Sequence, residues 1–170
     1  DRAGARRRRS GHDPAVTPAT LPVEAPPTVW PARRTVTAWL FFHWSAQPFF
    51  TLITTFVFAP FFASALAKDA ADGQALWGYA TGFAGLCIAL LSPLLGGIAD
   101  RSGPRKPWIA AFGALLVFGS AMLWFAVPGS SWAVPIALAG FVIATVGAEF
   151  ATTFNNAMMT RLVPPERLGW

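Results

Sequence analysis

Hydrophobic residues fill four long stretches of the chain, and clusters of polar and turn-forming residues mark the breaks between them. From residue 35 to residue 67 there is no Asp, Glu, Lys or Arg, and the run ends at Lys68-Asp69-Ala70-Ala71-Asp72-Gly73. A second stretch covers 74–99 and stops at Asp100-Arg101-Ser102-Gly103-Pro104-Arg105-Lys106-Pro107. A third covers 108–127 up to Pro128-Gly129-Ser130-Ser131, and a fourth covers 132–159, ahead of Pro164-Pro165. A helix needs ~20 apolar residues to cross a bilayer, and each stretch supplies them. Pro-Gly and Pro-Pro pairs stop helices. The pattern predicts an all-α integral membrane domain over 35–170, with transmembrane helices at 35–67, 74–99, 108–127 and 132–159.

Residues 1–34 follow a different pattern. They are rich in Pro, Ala and Arg and show no hydrophobic period. Such a segment cannot bury enough apolar surface to offset its ordering entropy, which predicts a disordered, basic tail. Its run Arg6-Arg7-Arg8-Arg9 suits a solvated tail or one drawn to anionic headgroups. The run lies too far ahead of the first apolar stretch for a twin-arginine export leader.

Composition sharpens the picture. Charged residues make up 12% of the chain and hydrophobic ones 54%, against about 25% charged in a soluble domain. With a mean hydropathy of +0.47, a water-surrounded globule is excluded. So is a nucleic-acid-binding domain, despite a pI near 10.7. The basic residues also orient the helices. Arg33, Arg34, Arg101, Arg105, Lys106, Arg161 and Arg167 flank one side of the predicted bundle, and Lys68 alone flanks the other. The positive-inside bias then places both termini in the cytoplasm. Trp39, Trp77, Trp108, Trp124 and Trp132 fall near span ends, where indole rings favour the headgroup layer.

Candidate chemistry is sparse. The one cysteine, Cys87, cannot form an internal disulfide or a redox pair and is expected to be a packing residue. His12 and His43 belong to no ligand cluster, and no nucleophile–base set, P-loop or zinc-protease motif occurs. No catalytic residue, metal site or cofactor is expected.

Polar side chains inside a bilayer are costly, so their angular position shows which helix faces avoid lipid. In the first helix His43, Gln47, Thr51 and Thr54 fall within an arc of about 80° at 100° per residue. In the fourth, Thr145, Glu149, Thr152, Thr153 and Asn156 fall within about 100°. An acid such as Glu149 costs on the order of 2.5–3.5 kcal/mol near mid-span, which favours a cavity-facing functional group over a neutral, hydrogen-bonded structural one. Depth counting allows His43 and Glu149 to face each other. Pro48 and Pro60 invite a kink in the first helix. The second helix carries Gly78, Gly82, Gly85 and Ala89 in a stripe suited to close packing. The third has one polar side chain, Ser120, and is expected to face lipid all round.

The turn Gly96-Gly97-Ile98-Ala99-Asp100-Arg101-Ser102-Gly103-Pro104-Arg105-Lys106 resembles the signature loop G-x-x-x-D-R-x-G-R-R/K-R/K of the major facilitator superfamily. It matches at Gly96, Asp100, Arg101, Gly103, Arg105 and Lys106 and departs at Pro104. In that family the loop lies between helices 2 and 3 on the cytoplasmic side and latches the two halves of the transporter. Asp100 at a helix C-terminus needs cations nearby, and Arg101 and Arg105 are the candidates. Trp44-Ser45-Ala46-Gln47-Pro48-Phe49-Phe50, Gly147-Ala148-Glu149-Phe150 and Phe154-Asn155-Asn156-Ala157 look like the "unknown major facilitator" branch. Relatives of that branch include vacuolar amino-acid effluxers. His43 stands where members usually have Asp.

The resemblance implies an N-terminal fragment: part of a six-helix half whose C-terminal helices are missing from this chain. It implies a secondary active transporter that moves a small polar solute, plausibly an amino acid, by alternating access across a bacterial inner membrane. The pathway residues are then Glu149, Asn156, His43, Gln47 and Thr51. The partners are the bilayer, the solute and the missing helices, with no nucleic acid. Alternatives are a small four-helix exporter, whose essential Glu would lie in helix 1, and a non-transporting membrane structural or assembly protein. Topology is directly testable. Reporter fusions after Asp69 and Ser130 should report outside and those after Ser102 and Arg167 inside; an inside signal at Asp69 would overturn the orientation.

Overall fold

The structure, a computed structural model, describes residues 31–102, 104–159 and 162. Among them every regular element is helical, and four helices are long and apolar enough to cross a membrane. These are α1 (Arg33–Leu66), α2 (Ala70–Ser102), α3 (Lys106–Leu123) and α4 (Ala133–Asn156). The tail expected over 1–34 lies mostly outside the described residues, but Arg33 and Arg34 already belong to α1.

Proline shapes α1. It is α-helical over Arg33–Pro48, π-helical over Phe49–Phe56, α-helical over Phe58–Phe61 and π-helical over Phe62–Leu66. A proline ring presses on the carbonyl four residues back, which for Pro60 is that of Phe56. The helix opens beside it at Val57 (φ −116°, ψ −61°), whose N–H donates to the Leu52 carbonyl five residues earlier at 2.8 Å. The Thr54 and Thr55 hydroxyls donate to the carbonyls of Phe49 and Phe50 at 3.4 and 3.1 Å. Side-chain donors of this kind help an irregular helix meet the bilayer's demand that backbone groups be satisfied.

The connections are tight. Asp69 begins α2 as an N-cap, its Oδ1 accepting from the Asp72 N–H at 2.9 Å. Gly73 lets α2 touch the end of α1, since a Cβ there would stand 2.6 Å from the Cα of Ala63. Between α3 and α4, the Ser130 N–H donates to the Val127 carbonyl at 3.2 Å. Pro128 and Gly129 (φ +85°) occupy the turn's centre, the pairing that a type II turn requires.

Helix α4 is the hub. Its buried face carries Ala133, Ala137, Gly140, Ala144, Gly147, Ala148 and Ala151, a stripe of small residues at alternating steps of about one helical turn. Helix α3 lies directly on it. A Cβ on Gly147 would come 2.5 Å from the Leu116 nitrogen, and one on Gly140 would come 2.8 Å from the Gly119 carbonyl oxygen. A Cβ on Gly119 would overlap the Ala144 backbone nitrogen. In lipid, helices associate through van der Waals contact rather than hydrophobic exclusion, so backbone approach of this kind matters most. Aromatic residues join the other helices to α4. Trp77 of α2 sits 4.0 Å from Phe141 and 5.3 Å from Phe62 of α1, centroid to centroid. At the opposite end Trp108 and Phe112 of α3 pack on Phe150 and Phe154.

Two sequence-based expectations are corrected here. Helix α3 does not face lipid all round, because its glycine face makes the most extensive interface in the structure, with α4. The stripe Gly78, Gly82, Gly85 and Ala89 on α2 is exposed, and nothing lies within 4 Å of a Cβ built on those glycines. The α2 residues that pack are on another side and include Leu76, Trp77, Ala80, Ala84, Ile88, Leu95 and Ala99. The tryptophans divide in the same way. Trp124 and Trp132 stand exposed at the ends of α3 and α4, as expected. Trp39, Trp77 and Trp108 are half-buried and reach α4, Trp39 by its N–H and the other two by ring contacts with Phe141 and Phe154.

Gly147→Ala is expected to destabilise the protein by about 1–3 kcal/mol, the usual cost of overpacking. Gly113→Ala on α3, with no neighbour within 4 Å, should be neutral or slightly stabilising. Unfolding midpoints in detergent micelles test the pair, and equal midpoints would contradict the backbone contact.

Candidate functional site

The polar face of α4 arises from the same periodicity that makes its packing face. Small residues occupy the side toward α3, so Thr145, Glu149, Thr152, Thr153 and Asn156 are left on a separate arc, half-buried or exposed. The polar face of α1 is similarly open. Gln47 and Thr51 are exposed, and His43 is half-buried.

The two faces meet at one end of the bundle. His43 Nε2 lies 2.7 Å from Asn156 Oδ1. With the carbonyl oxygen as acceptor, Nε2 carries the proton and donates. Trp39, one turn before His43, stacks edge-on against the imidazole at 4.7 Å, and its indole N–H donates to the Asn155 carbonyl at 3.0 Å. Arg105 Nη1 donates to the carbonyl of Ala157 at 2.5 Å. The last carbonyls of a helix have no partner within it, and a cation there complements the helix dipole. Trp39 and Arg105 therefore clasp the end of α4 from α1 and from the α2–α3 loop.

Other predicted residues are not drawn together. Glu149 makes no hydrogen bond or ion pair among the described residues. His43 bonds instead to Asn156, seven residues and ~10 Å farther along α4. The His43–Glu149 pairing allowed by depth counting is not made, because His43 lies level with the last turn of α4. Thr51 donates back to the Gln47 carbonyl at 2.6 Å, and both residues border an open cleft of about 610 Å³ beside Pro48. Two buried polar atoms, Thr152 Oγ1 and Asn155 Nδ2, have no hydrogen-bond partner among the described residues.

In the signature loop, a Cβ placed on Gly96 or Gly97 would meet nothing within 4 Å, so neither glycine brings these helices close together. Asp100 lies in the last turn of α2, and Arg101 beside it is exposed. Gly103 lies outside the described residues. Lys106 opens α3, and Arg105 precedes it. Sequence reasoning missed Trp39 and Asn155. A Trp one turn ahead of a His, opposite an Asn-Asn pair, was the available signal.

The profile of the Major Facilitator Superfamily matches residues 3–169. The chain is also 30% identical over 135 residues to "Uncharacterized MFS-type transporter YxiO" of Bacillus subtilis (strain 168), an alignment covering 78% of this chain and 31% of that relative. It thus spans under a third of the relative's length. No solved structure matches. With a family match over nearly all its residues and four apolar helices, the second and third joined by the signature loop, the chain belongs to the major facilitator superfamily, a family of multi-pass membrane transporters and not of enzymes.

Proposed function

We propose that the chain forms part of the solute pathway of a secondary active transporter, which moves a small polar solute by alternating access. The resemblance to the "unknown major facilitator" branch favours an amino acid. The observation that carries this reading is the pair of open polar faces on α1 and α4, joined at one end by the His43–Asn156 hydrogen bond. Lipid would not be expected against either face, since Glu149, Gln47 and Thr51 are all costly there. An aqueous cavity between these helices and others of the same transporter meets that cost.

Within this reading, Glu149 is the charged group of the pathway, with Asn156, His43, Gln47 and Thr51 as hydrogen-bonding neighbours. Glu149 offers its carboxylate to a solute ammonium or to a coupling proton. Gly96, Asp100, Arg101, Gly103, Arg105 and Lys106 form the latch loop on the cytoplasmic side. Arg105, by holding the end of α4, ties that loop to a pathway helix, so a state that repositions one must shift the other. The termini lie in the cytoplasm and the membrane is the bacterial inner membrane.

Two substitutions test the reading in the full-length transporter reconstituted in liposomes. Glu149→Gln should abolish solute flux or uncouple it from the proton gradient while the protein stays folded and inserted. Wild-type rates and pH dependence in that variant would remove Glu149 from the pathway. Asn156→Leu, which leaves His43 without its acceptor, should lower stability by about 0.5–1.5 kcal/mol, the net value of one hydrogen bond. It should also slow transport.

A further inference from the structure

One large side chain on the open side of α1 takes no part in packing against the other helices. Trp44 is 74% exposed, and its position ten residues after Arg34 puts it ~15 Å along the helix. That is about half the ~30 Å thickness of the hydrocarbon. Indole rings favour the headgroup layer instead, and an unpaired N–H is costly in an apolar medium. The Trp44 N–H makes no hydrogen bond among the described residues. Lipid at mid-depth is therefore a poor neighbour for this ring.

The ring stands between two clefts of different character. On one side it forms an apolar recess of about 280 Å³ with Leu40 and Phe41, and Phe41 props it edge-on at 5.9 Å. On the other it borders the open cleft of about 610 Å³ that holds Gln47 and Thr51. The Thr51 hydroxyl has given its proton to the Gln47 carbonyl, so its oxygen remains as an acceptor. The Gln47 amide has no hydrogen-bond partner among the described residues and offers both a donor and an acceptor. No charged side chain borders either cleft among the described residues. Measured from the His43–Asn156 bond, Gln47 lies ~6 Å along α1 and Glu149 ~10 Å along α4 in the same direction. Indole, amide and acid thus stand at comparable levels.

We propose that Trp44 is a specificity-determining residue of the solute pathway. Its exposed face packs against a flat, apolar group of the solute, while Gln47 and Thr51 hydrogen-bond the polar atoms next to that group. The inference rests on the pathway reading given above and narrows the solute to an amphipathic one: an amino acid with a large, uncharged, aromatic side chain. Aromatic groups pack on indole in offset or edge-on geometries, and an open ring face leaves room for either. A charged side chain would lose its hydration there without gaining a counter-charge. A cleft of this volume lies in the range used for small ligands.

The test uses the full-length transporter purified in neutral detergent, with its thermal midpoint followed as L-phenylalanine, glycine, L-glutamate or L-lysine is added. Phenylalanine should raise the midpoint saturably, at a concentration at least tenfold below that needed for the other three. Trp44→Ala should remove this preference and bring phenylalanine within threefold of glycine. Trp44→Phe keeps an aromatic face and should retain phenylalanine binding within threefold of wild type. Trp124→Ala removes an exposed indole at the end of α3 and should leave the preference unchanged. A Trp44→Ala protein that melts earlier without ligand but keeps the preference would show that the ring only packs, and would overturn the inference. Tightest binding of lysine, through its cation on the indole face, or of glutamate would also overturn it, as would no response to any of the four. The pathway reading fails separately: Glu149→Gln would then leave the phenylalanine response intact, whatever Trp44→Ala does.

Discussion

The backbone contact between α3 and α4 is the constraint on which the rest of the structure depends. Gly119, Gly140 and Gly147 bring two helices together until main-chain atoms touch, which in a bilayer is the efficient route to dispersion contact. That choice commits one side of α4 to small residues, so its bulk and polarity must go elsewhere. Phe141, Phe150 and Phe154 occupy the flanks and gather aromatic partners from α2 and α3. The polar residues take the remaining arc. The open polar face of α4 is therefore a geometric consequence of its packing face.

The clasp at the end of α4 answers a different demand. A helix that ends inside or near the bilayer leaves carbonyls that water cannot fully serve. Trp39 and Arg105 serve two of them from separate helical neighbourhoods, and His43 engages the adjacent side chain. Three side chains, two from α1 and one from the distant α2–α3 loop, thus converge on residues 155–157. This is also where the basic residues concentrate, so satisfying the helix end and setting up a positive surface are done by neighbouring side chains.

Much of this was legible from sequence. Charge-free runs of about one bilayer thickness specify the four spans almost without regard to packing, and the signature loop fell where the helix order required. Face assignment by polarity picked out His43 and Asn156, which the structure joins in a hydrogen bond. It failed where size was the marker. Small residues recur on both α2 and α4, and spacing alone does not say which stripe finds a partner; the bulky α2 neighbour Trp77 docks onto Phe141 and turns the Gly78–Gly82–Gly85 side outward. The arithmetic of 100° per residue also lapses past Pro48. There α1 becomes π-helical, and Thr54 reaches back five residues instead of four.

That same stretch gives α1 the mechanics of a jointed rod. Its N-terminal segment is fastened to the end of α4 through Trp39 and His43, and its C-terminal segment is fastened to Trp77 through Phe58 and Phe62. Between the two anchorages lie wide π turns and the irregular Val57, with Pro48 at their start and Pro60 at their end. Each end of α1 is thus set by its own partner, where an unbroken α-helix of the same length would hold both fastenings on one straight axis.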